Sequence, residues 1–177
     1  DYAAAAAERL EAQACAYFDG GAADELTLAA NLRAWQQIGL QSRVLRPMAG
    51  AHTRVELLGR TLAHPVLLAP VAYQRLAHPE GELATAQAAA ALQAGMVLST
   101  QSSVPVEAVA HIIRRDPDSG PLWFQVYIQP DRDFTLALVR RAEAAGCEAL
   151  VLTVDAPVSG ARDRGRRAGF RLPPGVR

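Results

Sequence analysis

Apolar positions change their period along this chain, and each change marks a different kind of structure. Residues 3–18 are alanine-rich, with Leu10, Ala14, Tyr17 and Phe18 at helical spacing, and Gly20-Gly21 supplies a stop. A second helix is predicted from Asp24, whose side chain can cap it, through Ile38, ending at Gly39. Between Ser42 and His64 the runs shorten, and Pro47, Gly50 and Gly59 punctuate them. Val55-Glu56-Leu57-Leu58 and Arg60-Thr61-Leu62 there predict a small antiparallel hairpin.

After Pro65 a repeating unit begins. Val66–Ala69 is a short apolar strand, and a helix is predicted from about Pro79 to Ala94, closing on Gly95. Met96-Val97-Leu98 is the next strand, followed by a helix near Val104–Arg114. Trp123–Ile128 forms the third strand, and Asp131 caps a helix ending at Gly146. Ala149–Val154 is the fourth, an unbroken apolar and β-branched run of the kind covered on both faces of a parallel sheet, and Pro157 ends it. Strands recurring every 25 to 30 residues with helices between them indicate consecutive βαβ units. The expected division is therefore 1–64, helices and hairpin, and 65–177, four βα-type strands and the loop after the last.

Right-handed crossovers give either a doubly wound sheet or a barrel. No G-x-G-x-x-G follows the first strand, which runs instead into Ala69-Pro70-Val71-Ala72, so the barrel is favoured. Four strands are half of a closed TIM (β/α)8 barrel. The fold class expected is α/β, the N-terminal half of such a barrel with a helical N-terminal extension, its first and fourth strands presenting open edges.

Composition narrows the chemistry. Basic and acidic residues balance at 18 each, so no global field draws the chain to nucleic acid or anionic lipid. Every basic residue is Arg, which removes lysine-dependent steps such as Schiff-base formation. Cys15 and Cys147 lie far apart and read as reduced core thiols of a cytoplasmic protein. No apolar run is long enough to span a membrane.

If the strands are parallel neighbours, their carboxyl ends gather Pro70-Val71-Ala72, Ser99-Thr100, Gln125 to Tyr127, and Thr153 with Asp155. In α/β folds that end is where ligands bind. His52, His64, His78 and His111 have no paired spacing, so no metal is expected. There is no G-x-S-x-G elbow and no His after the last acid, which leaves nucleophilic triads unsupported. Neutral hydroxyls and an amide beside small residues suit a flat, polar cofactor edge. His78, opening a helix before Pro79 and Glu80, reads as structural. The Arg-rich, Gly-containing segment from Arg162 to Arg171 reads as an active-site lid rather than a nucleic-acid patch.

Six short segments, in order, resemble the N-terminal half of the FMN-dependent α-hydroxy acid oxidase and dehydrogenase family. They are Asp19-Gly20-Gly21-Ala22-Ala23-Asp24-Glu25, Leu68-Ala69-Pro70-Val71-Ala72, His78-Pro79-Glu80-Gly81-Glu82, Leu98-Ser99-Thr100, Trp123-Phe124-Gln125-Val126-Tyr127 and Leu152-Thr153-Val154-Asp155-Ala156-Pro157. The resemblance implies an FMN-dependent oxidation of a small-molecule 2-hydroxy acid to the 2-oxo acid. It places flavin contacts on the Pro70, Val71 and Ala72 backbone, Ser99, Gln125 and Thr153, substrate contacts on Tyr17, Tyr127 and Arg162, and a histidine-orienting carboxylate on Asp155.

Elementary chemistry agrees with those roles. A planar guanidinium at Arg162 can grip a carboxylate at two points, and phenols at Tyr17 and Tyr127 can donate to the same group. Asp155 would hold an imidazole base in one tautomer. Family members acting on short acids tend to carry a tryptophan shortly after the Leu-Ser strand end, where this chain has Gln101, so an aromatic or larger acid is admitted. The family's lysine, catalytic histidine and second arginine come later than this sequence reaches. The partner implied is the C-terminal half of the same barrel, and a homo-oligomer is expected. A non-catalytic half-barrel binding module and a different flavin- or phosphate-binding TIM barrel remain the alternatives.

Overall fold

The computed structural model describes residues 2–155 and 158–172. They fall into two compact units, one within Asp1–Ala51 and Val158–Pro173, the other built on His52–Pro157.

In the first unit the alanine-rich stretch forms two helices, α1 (Tyr2–Ala7) and α2 (Ala12–Asp19), where one is predicted. α1 buries none of its residues, so no packing holds a single axis through Glu8–Glu11, and a helix of that length is marginal alone. Glu11 is extended at φ −61°, ψ 148° and opens α2, whose Ala14 and Ala16 are buried. α2 ends as expected at Asp19, although Gly20 is extended rather than left-handed. α3 (Leu26–Gln36) starts two residues later than Asp24 predicts. Asp24 does not cap it; Glu25 precedes it in the left-handed region, its carboxylate accepting from Gly21 N at 3.0 Å. A short helix, α7 (Asp163–Arg167), packs on α2 in the segment read as a loop.

The second unit holds the predicted hairpin, β1 (Val55–Leu57) against antiparallel β2 (Arg60–Leu62). Its sheet follows: β3 (Leu67–Leu68), β4 (Gly95–Leu98), β5 (Leu122–Val126) and β6 (Ala149–Leu152), all parallel and ordered β3-β4-β5-β6. The order never reverses, so there is no doubly wound switch point. Sequential parallel strands with a helix in each crossover are the N-terminal half of a (β/α)8 barrel.

The crossover helices are α4 (Glu82–Ala91), α5 (Val106–Ile113) and α6 (Arg132–Ala145). α6 has the predicted boundaries because its ends are set locally. Asp131 Oδ1 accepts from the N–H groups of Asp133 and Phe134 at 2.9 and 3.1 Å, a cap worth about 1 kcal/mol, and Gly146 closes it at φ +89°. The core lies between helices and sheet: Ala86, Ala89 and Ala90 of α4 and Val109 and Ala110 of α5 meet Met96, Leu98, Leu122 and Phe124. Alanines on α4 let it approach closely. The hairpin is tied to the far end of the sheet by Arg60, which pairs with Glu148 and donates to Ser119 O at 2.6 Å.

β6 departs from its sequence pattern. Its run predicts cover on both faces, yet exposure alternates, with Leu150 at 49% and Leu152 at 51%. The cause is position: β6 is the last strand of the sheet, and among the described residues no further strand or crossover helix of this sheet follows it to cover Leu150 and Leu152.

Candidate functional site

Register places three predicted residues in one row. β4 pairs with β5 through Leu98↔Phe124, and β5 with β6 through Val126↔Leu152, so Ser99, Gln125 and Thr153 stand at the carboxyl ends of adjacent strands. Gln125, 2% exposed, is the centre. Its Oε1 accepts from Ser99 Oγ at 3.3 Å and from Thr100 N at 3.1 Å, and its Nε2 donates to Thr153 Oγ1 at 2.8 Å. Ser99 Oγ in turn accepts from Gln101 N at 3.1 Å. Thr100 Oγ1 donates to the Gln125 carbonyl, locking the two strand ends together.

The donor count decides what the row can bind. Oε1 already holds two donors, but the amide nitrogen has a second hydrogen, and Thr153 keeps its hydroxyl hydrogen. The row therefore offers directed N–H and O–H donors from a buried base, suited to an acceptor-bearing ring edge. Next to it, Pro70 and Val71 are exposed and Ala72 half-buried in the segment after β3, where Tyr73 N donates to Gln101 O at 3.0 Å. Tyr127 follows β5 half-buried, and Asp155 lies exposed after β6.

In the other unit, Tyr17 and Arg162 are brought together. The Arg162 guanidinium lies 4.8 Å from the Tyr17 ring centroid, and Phe170 stacks on Tyr17 at 4.7 Å. Arg162 Nη2 donates to the carbonyls of Tyr17 and Gly20, the latter at 3.1 Å. Both two-point edges of a guanidinium include Nη2, so gripping a carboxylate requires exchange of those carbonyls. Arg164 pairs with Glu25, whose carboxyl is held below its ordinary range by the Gly21 N–H and then by that guanidinium.

Other chemistries find little support. Burial pushes the Cys147 thiol up to about 11, which leaves it protonated and unreactive at neutral pH. Cys15 and Cys147 are both free. Among the described residues no His, Cys, Asp or Glu cluster could hold a metal, and no helix is long and apolar enough to cross a membrane. His78 makes a local contact, its Nδ1 accepting from Glu80 N at 3.2 Å. Thr100, a strand-end residue in the sequence pattern with no role assigned there, completes the Gln125 amide with its N–H, and Glu82, buried, is a participant that the sequence does not mark.

A half (β/α)8 barrel whose strand ends present a neutral donor row has the groups that suit a planar, polar cofactor. The family can be stated directly: residues 6–177 match the FMN-dependent dehydrogenase family, and the chain belongs to it. It is 49% identical to the L-lactate oxidase of Roseobacter sp. (strain GAI101), covering 100% of this chain and 46% of that protein. It is 43% identical to the 4-hydroxymandelate oxidase of Amycolatopsis orientalis, covering 98% of this chain and 47% of the relative. A crystal structure of mandelate oxidase with 3,3-difluoro-2-hydroxy-3-phenylpropionic acid superposes with TM-score 0.91 at 42% identity, over 98% of this chain and 51% of that one. A mandelate oxidase mutant with the C4a-OH-FMN adduct also gives 0.91 at 42%, with the same coverage. The chain thus spans about half the length of the relatives it matches.

Proposed function

We propose that the protein oxidises a 2-hydroxy acid to the 2-oxo acid with FMN as electron acceptor, and that this chain supplies the cofactor cradle and part of the substrate grip. The carrying observation is the Ser99–Gln125–Thr153 row, a buried amide between two hydroxyls with donors to spare. Bound FMN would supply the two-electron acceptor for the hydrogen leaving the substrate's α-carbon. Ser99, Gln125 and Thr153 would hold its ring edge, with the Pro70, Val71 and Ala72 backbone against it.

For the substrate, Arg162 would exchange the Tyr17 and Gly20 carbonyls for the acid's carboxylate, with the Tyr17 phenol donating to the same group, and Tyr127 after β5 would be a further phenol donor to the substrate. Asp155, exposed after β6, would orient an imidazole contributed by the other half of the barrel and stabilise it once protonated. That half would pair with the open β3 and β6 edges and cover Leu150 and Leu152. The substrate class spans lactate and aromatic acids: Gln101 is exposed where a tryptophan would narrow the site, and L-lactate and 4-hydroxymandelate oxidases are both among the relatives. We place the protein in the cytoplasm as a homo-oligomer, a setting that suits two free thiols and the exposed Leu32 and Trp35 of α3.

The cofactor assignment is tested by denaturing the purified full-length protein and identifying the released flavin by mass. FMN near one equivalent per chain is expected. FAD, or no flavin after incubation of the apoprotein with FMN, would overturn it.

A further inference from the structure

Glu82 is completely buried, and it stands outside every role described above. It is the first residue of α4, where the helix N-terminus favours a negative charge. Its Oε1 accepts from two backbone N–H groups of different loops, Gln74 N at 3.2 Å after β3 and Ser103 N at 2.8 Å after β4. Three more contacts run beside it: Tyr73 N to Gln101 O at 3.0 Å, Arg75 N to Ser103 Oγ at 3.3 Å, and Thr85 Oγ1 to Gln74 Oε1 at 2.6 Å.

The arrangement is a poor way to gain stability. Oε2 is buried and accepts no hydrogen bond among the described residues, an unmet requirement that costs about 1–3 kcal/mol. Gly81 carries the carboxyl inward at φ +52°, ψ −128°, and a Cβ there would lie 2.8 Å from Arg75 Cγ. A buried carboxyl group held at such expense is better explained by the geometry it fixes. That geometry is local to the cradle: Gln74 lies two residues past Ala72, and Ser103 four past Ser99.

We propose that Glu82 is a positioning residue of the cofactor cradle, its buried carboxylate tying the Gln74 turn to Ser103 and so fixing the Pro70–Ala72 backbone against the Ser99–Gln125–Thr153 row. The inference rests on the proposed FMN function for its ligand, but the tether itself is present without a ligand. Glu82→Gln retains an oxygen for both N–H groups and can place its NH2 at the unpartnered position. Glu82→Ala removes the tether, and Glu82→Asp withdraws it by one methylene.

Two measurements on the full-length protein test this. Amide hydrogen exchange of the apoprotein should quicken at Gln74 and Ser103 in Glu82→Ala and stay close to wild type in Glu82→Gln. FMN titration should show Kd raised by roughly tenfold or more in Glu82→Ala, with an altered visible flavin band, and within about threefold of wild type in Glu82→Gln. If Glu82→Ala does not fold, Glu82→Asp carries the same readouts and should shift in the same direction. Unchanged Kd and band shape with only a lower Tm would overturn the proposal. So would failure of both the Ala and Asp variants to fold, which would assign Glu82 to the stability of the fold. Wild-type protein that binds no FMN would sink the proposed function instead, leaving the exchange result to judge the tether.

Discussion

Gln125→Leu should weaken FMN binding about a hundredfold, equivalent to about 2.7 kcal/mol, making it the largest cofactor effect expected of a single side chain in this chain. The amide is 2% exposed and joins three strand ends through one oxygen and one nitrogen. Leucine fills a similar volume but leaves the Thr100 N–H and the Ser99 hydroxyl without their acceptor, and it deletes the spare amide hydrogen. Stability should fall as well, by roughly 1–3 kcal/mol, so the titration belongs well below Tm. Gln125→Glu keeps an acceptor for Thr100 and Ser99 and, ionised, donates nothing, so its FMN affinity should fall; the uncompensated charge it buries should lower stability as well. Calorimetric titration of apoprotein with FMN is the measurement, and an unchanged Kd in both variants would remove Gln125 from the cradle.

Arg162→Lys should lower kcat/KM for the hydroxy acid about thirtyfold, or roughly 2 kcal/mol, with flavin content unchanged. Lysine retains the charge but grips a carboxylate at one point and cannot present a planar face to Tyr17. In the structure Nη2 is engaged by the carbonyls of Tyr17 and Gly20, so a carboxylate gripped at two points there would have to displace them. The loss should therefore appear in KM as well as kcat, because lysine weakens the ground-state grip too. Steady-state kinetics beside a flavin spectrum checks this, and unchanged kinetics would confine Arg162 to holding α7 against α2.

How much of this was legible in the sequence depended on how local the determining interaction is. α6 was readable at both ends because Asp131 and Gly146 act within one turn of their own helix. The sequence predicts that α4 starts at Pro79, whereas the helix begins only after Gly81, where a Cβ would meet Arg75. The row of Ser99, Gln125 and Thr153 was accessible because apolar runs ending in polar residues give strand ends, and sequential βα units bring those ends together. Their hydrogen bonds to one another were not, since they depend on register. Arg162 read as a fork in an open loop, whereas its carbonyl partners lie 145 and 142 residues earlier. Glu82 was hidden for the same reason. Its partners are backbone N–H groups 8 and 21 residues away, and nothing in Glu80-Gly81-Glu82 marks one carboxyl as buried.

We propose that the strand ends of this chain cradle FMN in an enzyme that takes a hydrogen from a 2-hydroxy acid. Anaerobic mixing of the full-length, flavin-loaded protein with the (S)-enantiomers of lactate, mandelate and 4-hydroxymandelate, following the visible flavin absorption, tests this. Stoichiometric bleaching by at least one of them, with the matching 2-oxo acid recovered, is the predicted result. A flavin that stays oxidised with every acid, in a protein confirmed to hold FMN, would contradict it.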